Sequence, residues 1–149
     1  MPVIRFHLDS ELDAATLMAV LTDFGPTRPQ RWPTIDENHF EVHQLGDNWA
    51  EVTEGTESAW ERARYDWDDQ ANRVRVTTHD SKVFGPGGGW LFELTPGPAG
   101  GTRVHIELTR QPTGLKRKAL AALLPLAAPS ALRRSFAGPL GAAKAHRPT

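Results

Sequence analysis

Residues 59–67 read AWERARYDW, a run in which small or aromatic side chains alternate with charged ones. In an extended chain, successive side chains point to opposite faces of a sheet. One face then carries Ala63, Tyr65 and Trp67, and Glu61 falls in line with them. We therefore predict a β-strand whose mainly apolar inner face also carries a carboxylate and a phenol.

The same alternation recurs on both sides of this run, and turn-forming residues such as Gly46-Asp47 separate one run from the next. Links of hairpin length between consecutive strands predict an antiparallel meander. The predicted strands of this meander cover residues 38–45, 48–55, 58–68, 72–80, 89–95 and 102–111.

The N-terminal part adds a strand and a helix. Residues 3–8 alternate as a first strand, and Ser10 is the expected N-cap of a helix that ends at Gly25. Residues 26–36 hold three prolines, so no long helix is expected there. This segment also carries Trp32, which either closes one end of the core or lines the mouth of a cavity.

Residues 115–140 carry a leucine-rich apolar stripe that predicts a long C-terminal helix. Pro125 and Pro129 fall within it and predict a kink, and residues 142–149 are expected to fray. A sheet with one apolar face needs a cover, and this helix is the longest element available. The whole chain, residues 1–149, is therefore predicted to form one α+β domain.

Composition and charge exclude several classes of protein. Without cysteine, the chain forms neither disulfides nor thiolate sites, and residues 1–8 lack the apolar core of a signal peptide, so a cytoplasmic location is expected. All 18 acidic residues lie in residues 1–107, whereas residues 108–149 hold eight Lys or Arg. This basic segment either packs across the acidic sheet or contacts an anionic membrane surface. Phe136 is its only aromatic residue, so no nucleic-acid partner is expected.

Ionisable and phenolic groups fall in line with the apolar inner residues of several strands. A close-packed core does not tolerate such groups unpaired, whereas a ligand cavity combines apolar walls with a few polar groups. The groups form either a buried ion network or a functional site. A bidentate pair of Arg110 with Glu61 or Asp80 would agree with either interpretation. The predicted cavity lining is Trp32, Glu54, Glu61, Tyr65, Trp67, Asp80, Trp90, Phe92 and Arg110.

Five short segments carry a resemblance to a known superfamily. They are LTDF at 21–24, WPTID at 32–36, AEVTEG at 50–55, WERARYDW at 60–67 and GGTRV at 100–104. With the order of elements, they make the chain similar to the START-like, or SRPBCC, helix-grip superfamily, which includes polyketide cyclases and dehydrases. The resemblance implies a curved antiparallel sheet of six to seven strands wrapped around a long C-terminal helix. It also implies a deep cavity for an apolar or aromatic small molecule, such as a lipid or polyketide, but no single reaction.

Two functions agree with these features. A binding or carrier protein would hold a hydrophobic small molecule by burying its apolar surface, and the polar groups would orient it. A cyclase or dehydratase would use Glu61 or Asp80 to accept a proton, while Tyr65 and Arg110 stabilise the enolate. The sequence leaves open whether the protein is an enzyme.

Other motifs predict no further chemistry. His39 and His43 would lie about 13 Å apart along one strand, too far to share a metal ion, and both are expected on the solvated outer face. No metal site and no cofactor are predicted. The glycine-rich residues 85–89 lack the lysine of a phosphate loop and indicate a hairpin connection. Trp49 and Trp60 are predicted to point outward, where they could mark a dimer contact, so monomer and homodimer both stay open.

Overall fold

The computed structural model describes residues 3–82, 85–98, 100–111 and 139–140, with backbone alone at 85–86 and 110–111. Most of the predicted C-terminal helix lies outside the described residues. The kink predicted at Pro125 or Pro129 and the fraying predicted beyond residue 142 lie outside them as well.

Seven strands form one antiparallel sheet, and two short helices lie between the first two strands. The strand order β1-β7-β6-β5-β4-β3-β2 confirms the meander predicted from the sequence and leaves β1 and β2 at the edges. The helices are α1 (Ala14–Leu21) and α2 (Arg28–Arg31), followed by a 3-10 turn at Glu37–His39. The strands are β1 (Val3–Ser10), β2 (Phe40–Leu45), β3 (Trp49–Glu54), β4 (Glu61–Asp68), β5 (Arg73–Ser81), β6 (Gly85–Pro96) and β7 (Thr102–Gln111).

Alternation along the strands buries one face of the sheet. In β1, Ile4, Phe6 and Leu8 are buried, whereas Arg5 and His7 between them are exposed. Helix α1 packs four apolar side chains into the same core. Further buried residues of the inner face are Ala50, Val52, Ala63, Val74, Val76, Phe92, Leu94, Val104, Ile106 and Leu108.

Helix α1 begins and ends at residues other than those predicted. The N-cap is Asp13, whose carboxylate accepts a hydrogen bond from the backbone N–H of Thr16 at 2.7 Å. Ser10 is not the cap because it remains in β1, paired with β7. The helix ends at Leu21, before the predicted glycine, and the N–H and hydroxyl of the C-cap Thr22 both donate to the Met18 carbonyl.

A β-bulge in β5 overturns one predicted orientation. Arg62 pairs with Asp80, whereas the next residue of β4 pairs with Thr78, so His79 is an extra residue. An extra residue shifts the alternation by one, and Ser81 rather than Asp80 is buried on the inner face. The predicted inward position of Asp80 is therefore wrong, since its side chain lies exposed on the outer face.

The end of the predicted C-terminal helix contacts the first strand. Leu140 is fully buried, and its carbonyl accepts a hydrogen bond from the Ser10 hydroxyl at 2.6 Å. This contact brings the chain that follows β7 back to the end of β1.

Helices α1 and α2 have eight and four residues. A membrane-spanning helix needs about 20. Among the residues that the structure describes, no helix is long and apolar enough to cross a bilayer.

Candidate functional site

A buried ion cluster lies where the ends of β3 and α2 meet the inner face. Glu54 and Tyr65 project from this face, on β3 and β4. Arg28 of α2 donates to the Glu54 carboxylate from Nη2 at 3.1 Å and from Nε at 3.3 Å. The Tyr65 hydroxyl donates to the same carboxylate at 2.9 Å and accepts from Arg28 Nη2 at 3.1 Å. These three residues are called the Arg28 cluster below.

Arg28 also ties the helices to the strands. Its Nη1 donates to the backbone carbonyls of Leu21 and Asp23, at 3.3 and 3.0 Å. Its guanidinium carbon lies 4.5 Å from the ring centre of Phe24 and 5.6 Å from that of Trp32. Cation–π attraction is strongest when, as here, the cation is desolvated. One side chain therefore holds the end of α1, the proline-containing segment and two strands together.

Every N–H group of Arg28 has a hydrogen-bond acceptor within the protein. A guanidinium has five N–H groups, and the bonds of Arg28 to two backbone carbonyls, Glu54 and Tyr65 use all of them. A buried ion pair is tolerable only when its remaining polar atoms are satisfied in this way. The cluster therefore holds no spare N–H group of Arg28 for a ligand.

Burial and charge keep Tyr65 protonated. Burial raises the pKa of Tyr65 well above its ordinary value near 10, and the Glu54 charge raises it further, against the opposing effect of Arg28. Burial lowers the pKa of Arg28, but its contacts with Glu54 and Tyr65 outweigh this and leave the pKa of Arg28 raised. Tyr65 is therefore a hydrogen-bond donor, not a base or a nucleophile.

Tyr65 is the only tyrosine of the chain, so tyrosinate absorbance reports on this residue alone. In the native protein we expect no ionisation at pH 10, whereas in denaturant Tyr65 should titrate near pH 10. The unfolded chain then loses this proton first, so the contribution of Tyr65 to stability is complete below pH 10. It falls as the pH rises through the higher native pKa. Half-ionisation of native Tyr65 at pH 10 would contradict the burial of its hydroxyl.

Three predicted aromatic residues lie on the inner face and differ in burial. Phe92 is buried, whereas Trp67 and Trp90 are only half-buried. The rings of Trp90 and Phe92 stack with centroids 6.2 Å apart, and Trp67 stacks on Phe24 at 6.0 Å. Part of two large aromatic surfaces therefore remains uncovered on the face that elsewhere forms the core.

The predicted polar groups separate into three sets. Glu61 is half-buried on the inner face, directly opposite Glu54, and lies near the Arg28 cluster. Burial and the Glu54 charge are the main causes of the raised pKa of Tyr65, and the charge of Glu61 raises this pKa further. Asp80 lies on the other face of the sheet, and the side chain of Arg110 is outside the described residues. The structure therefore brings Glu54, Glu61 and Tyr65 together and separates Asp80 from them.

Sequence reasoning missed Arg28. A carboxylate on an apolar face needs a cation, which is a usable signal, but Arg110 was the residue chosen for that role. Arg28 lies 26 positions from Glu54, in a segment whose path the three prolines leave undefined. Arg28 lies four residues before Trp32 in this segment, and its guanidinium is the charge that pairs with Glu54.

No protein-family model matches the chain, and no curated protein matches it in sequence. Solved structures match its fold. TTHA0849 from Thermus thermophilus superposes with a TM-score of 0.70 at 19% identity, over 95% of this chain and 99% of that one. A START superfamily protein from Mycobacterium smegmatis gives 0.68 at 13%, over 93% and 97%. The Zhui aromatase/cyclase from a Streptomyces species gives 0.69 at 12%, over 98% and 96%.

These likenesses confirm the START-like fold that the five sequence segments implied. The seven-stranded antiparallel sheet is the one found in START and polyketide cyclase structures. At identities below 20%, the likeness extends to the fold alone.

Proposed function

We propose that the protein binds an apolar or aromatic small molecule between the inner face of the sheet and the C-terminal segment. The observation that carries this proposal is the incomplete burial of Trp67 and Trp90 on the face that forms the core. Neighbouring residues of the same face, such as Val74 and Phe92, are buried. Large aromatic side chains left partly uncovered among core residues are typical of a ligand cavity.

The position of the Arg28 cluster supports this proposal. Phe24, held against Arg28 at 4.5 Å, also contacts the rings of Tyr65 and Trp67, with centroids 4.9 and 6.0 Å apart. The cluster thereby fixes one aromatic wall before a ligand arrives, which lowers the ordering cost of binding. Glu61 supplies a half-buried acceptor that can orient a hydroxyl-bearing ligand.

The matched structures are consistent with such a ligand. One is described as a START superfamily protein and another as an aromatase/cyclase. Both adopt the fold seen here, and the second is described as an enzyme. The fold itself does not choose between them.

Catalysis of a cyclase or dehydratase type is the second candidate, and the observation that favours it is Glu61. A half-buried carboxylate on a cavity wall can exchange a proton with a bound ligand. The sequence suggested Tyr65 and Arg110 as stabilisers of an enolate, but the Tyr65 hydroxyl donates to Glu54, so under this alternative Arg110 would have that role. Glu61→Gln would then abolish turnover of a polyketide substrate and leave probe affinity within twofold of the wild type, whereas a carrier shows no turnover in either form.

We expect Trp67→Leu to weaken the binding of anilinonaphthalene sulfonate, an aromatic fluorescent probe, about tenfold, which is about 1.4 kcal/mol. The substitution removes aromatic contact area from the proposed cavity, whereas leucine keeps an apolar side chain at this position. Titration by probe fluorescence measures the dissociation constant. Native mass spectrometry of the freshly purified protein tests in parallel for a bound small molecule.

Trp49→Leu is the matched control. Trp49 lies on the outer face, where Arg64 covers its ring at 4.6 Å, so its loss should change the dissociation constant less than twofold. Equal losses in the two variants would place the probe outside the inner face and contradict the proposal.

A further inference from the structure

Three side chains on the outer face of β2 and β3 contact one another through polar atoms, by one ion pair and one hydrogen bond. Oε2 of Glu41 lies 2.8 Å from Nδ1 of His43, and Nε2 of His43 lies 2.7 Å from the hydroxyl oxygen of Thr53. A carboxylate, an imidazole and a hydroxyl in this order form the arrangement that activates the nucleophile of many acyl-transfer enzymes. The hydrogen bond between His43 and Thr53 is short enough for proton transfer.

A β-bulge places His43 in this chain. The pairing of β2 with β3 shifts between Val42 and Gln44, so His43 is an extra residue on the edge strand. Bulges redirect side chains and are frequent beside active sites. Glu41 and Thr53 are direct partners across the two strands, and the redirected imidazole forms a hydrogen bond with Thr53 and an ion-pair contact with Glu41.

The position of Glu41 favours one tautomer of His43 over the other. The Glu41 carboxylate lies 2.8 Å from Nδ1, so in a neutral imidazole it favours a proton rather than a lone pair at that nitrogen. Nε2 then presents a lone pair to the Thr53 hydroxyl. His43 is therefore oriented as a general base for Thr53.

The three residues line a groove of about 450 Å³, on the opposite face of the sheet from the Arg28 cluster. Pockets for small ligands usually have volumes of about 300–1,000 Å³. Trp60 gives the groove apolar surface. Arg62 also lines it and is the direct partner of Thr53 on β4. Among the described residues, the Arg62 guanidinium has no ion-pair partner, which leaves its N–H groups available to a substrate oxygen.

We propose that this groove hydrolyses small carboxylic esters, with Thr53 as the nucleophile and His43 as the general base. Oγ of Thr53 attacks the carbonyl carbon, its proton passes to Nε2 of His43, and the carbonyl oxygen becomes an oxyanion. Arg62 stabilises that oxyanion by hydrogen bonds. Glu41 is a positioning residue, since it orients His43 and stabilises the imidazolium.

The remaining steps return the groove to its starting state. Collapse of the oxyanion breaks the bond to the leaving oxygen, which takes the proton from His43 and departs as an alcohol. Water then attacks the acyl-Thr53 ester and gives its proton to His43. The second collapse breaks the ester bond, Thr53 regains its proton from His43, and a carboxylic acid is released.

The lining also defines the substrate class. Trp60 favours an ester with an aryl group, whereas Glu41 and Asp80 disfavour substrates that carry a negative charge. Glu41 is largely exposed, so solvent screens its effect on His43 and we expect slow turnover.

The chain contains a natural control on the same face of the sheet. Nε2 of His105 lies 2.9 Å from the Thr95 hydroxyl, a second imidazole–hydroxyl pair. Within the described part of the chain, no carboxylate forms an ion pair with His105. The two pairs thus differ in the element that the proposal requires, a carboxylate on the far nitrogen.

Hydrolysis of p-nitrophenyl acetate by the full chain tests the proposal. We expect His43→Gln and Thr53→Val to lower the protein-dependent rate at least tenfold, Thr53→Ser to retain activity, and His105→Gln to stay within twofold of the wild type. Circular dichroism confirms that each variant is folded. Because Thr53→Ser keeps the hydroxyl and removes only a methyl group, it remains informative if the valine variant unfolds.

Peptide mapping after acidic quenching identifies the acylated residue. Acetyl transfer to Thr53, absent in His43→Gln, would support the covalent step. Equal rates in wild type and His43→Gln, or acetylation confined to lysines, would overturn the proposal. Neither result touches the inner-face ligand site, because Trp67 and the outer-face groove lie on opposite faces.

Discussion

Replacing Arg28 by methionine is expected to lower the free energy of unfolding by about 3–5 kcal/mol, the usual cost of removing one partner of a buried ion pair. The variant leaves the Glu54 carboxylate buried without its cation. It also removes the donors that satisfy two backbone carbonyls at the end of α1. Urea denaturation followed by tryptophan fluorescence measures the change.

The exposed pair Arg73–Glu93 provides the matched control. Its atoms are 3.2 Å apart, close to the 3.1 Å of the Arg28–Glu54 pair, but its side chains are 51% and 44% exposed rather than 3% and 9%. Exposed pairs contribute about 0–1 kcal/mol, so Arg73→Met should cost little. Equal costs for Arg28→Met and Arg73→Met would show that Glu54 is not buried in solution.

A double variant separates the loss of the cation from the loss of packing. In Arg28→Met/Glu54→Leu neither partner carries a charge, so the penalty for an isolated buried carboxylate disappears. We expect this variant to be more stable than Arg28→Met alone. If it is less stable, the packing of the guanidinium against Phe24 and Trp32 contributes more than the ion pair does.

The sheet was predictable because one face of it is buried. Burial of alternate residues imposes a period of two on the sequence, and the strand positions follow from that period. In β1, β3 and β7 the alternation runs without interruption, and the predicted inner residues whose side chains the structure describes are the buried ones, whereas Arg110 lies outside that set. The order of the strands was predictable because hairpin links leave few other arrangements.

The position of Asp80 was not predictable from the same rule. The alternation Val74, Val76, Thr78 continues to Asp80 in the sequence, but the bulge at His79 breaks the period in the fold. A bulge depends on pairing with the neighbouring strand, which local sequence does not encode. The bulge at His43 escaped prediction for the same reason, and with it the contact between His43 and Thr53.

The Arg28 cluster shows a second limit of sequence reasoning. The inward direction of Glu54 and Tyr65 followed from strand periodicity, and their need for a cation followed from the cost of burying charge. The identity of that cation depends on how a proline-containing segment folds back on the sheet. Such a contact joins residues far apart in the sequence and leaves no periodic signal.

Leu140→Ala is the second large expected effect, a loss of about 2–5 kcal/mol in the free energy of unfolding. Leu140 is fully buried at the end of β1, so truncation leaves a cavity among core residues. Leu45 on the edge strand is 62% exposed and supplies the control, because Leu45→Ala should change stability by about 0.5 kcal/mol or less.

The same contact has a polar component that can be tested separately. The Ser10 hydroxyl donates to the Leu140 carbonyl at 2.6 Å, in a buried environment. Ser10→Ala would leave that carbonyl without its donor, at a cost of about 1–3 kcal/mol. The effects of Ser10→Ala and Leu140→Ala should be less than additive, because both variants loosen one contact. Additive losses would mean that Ser10 stabilises β1 independently of Leu140, and the C-terminal segment would then be held to the sheet by other residues.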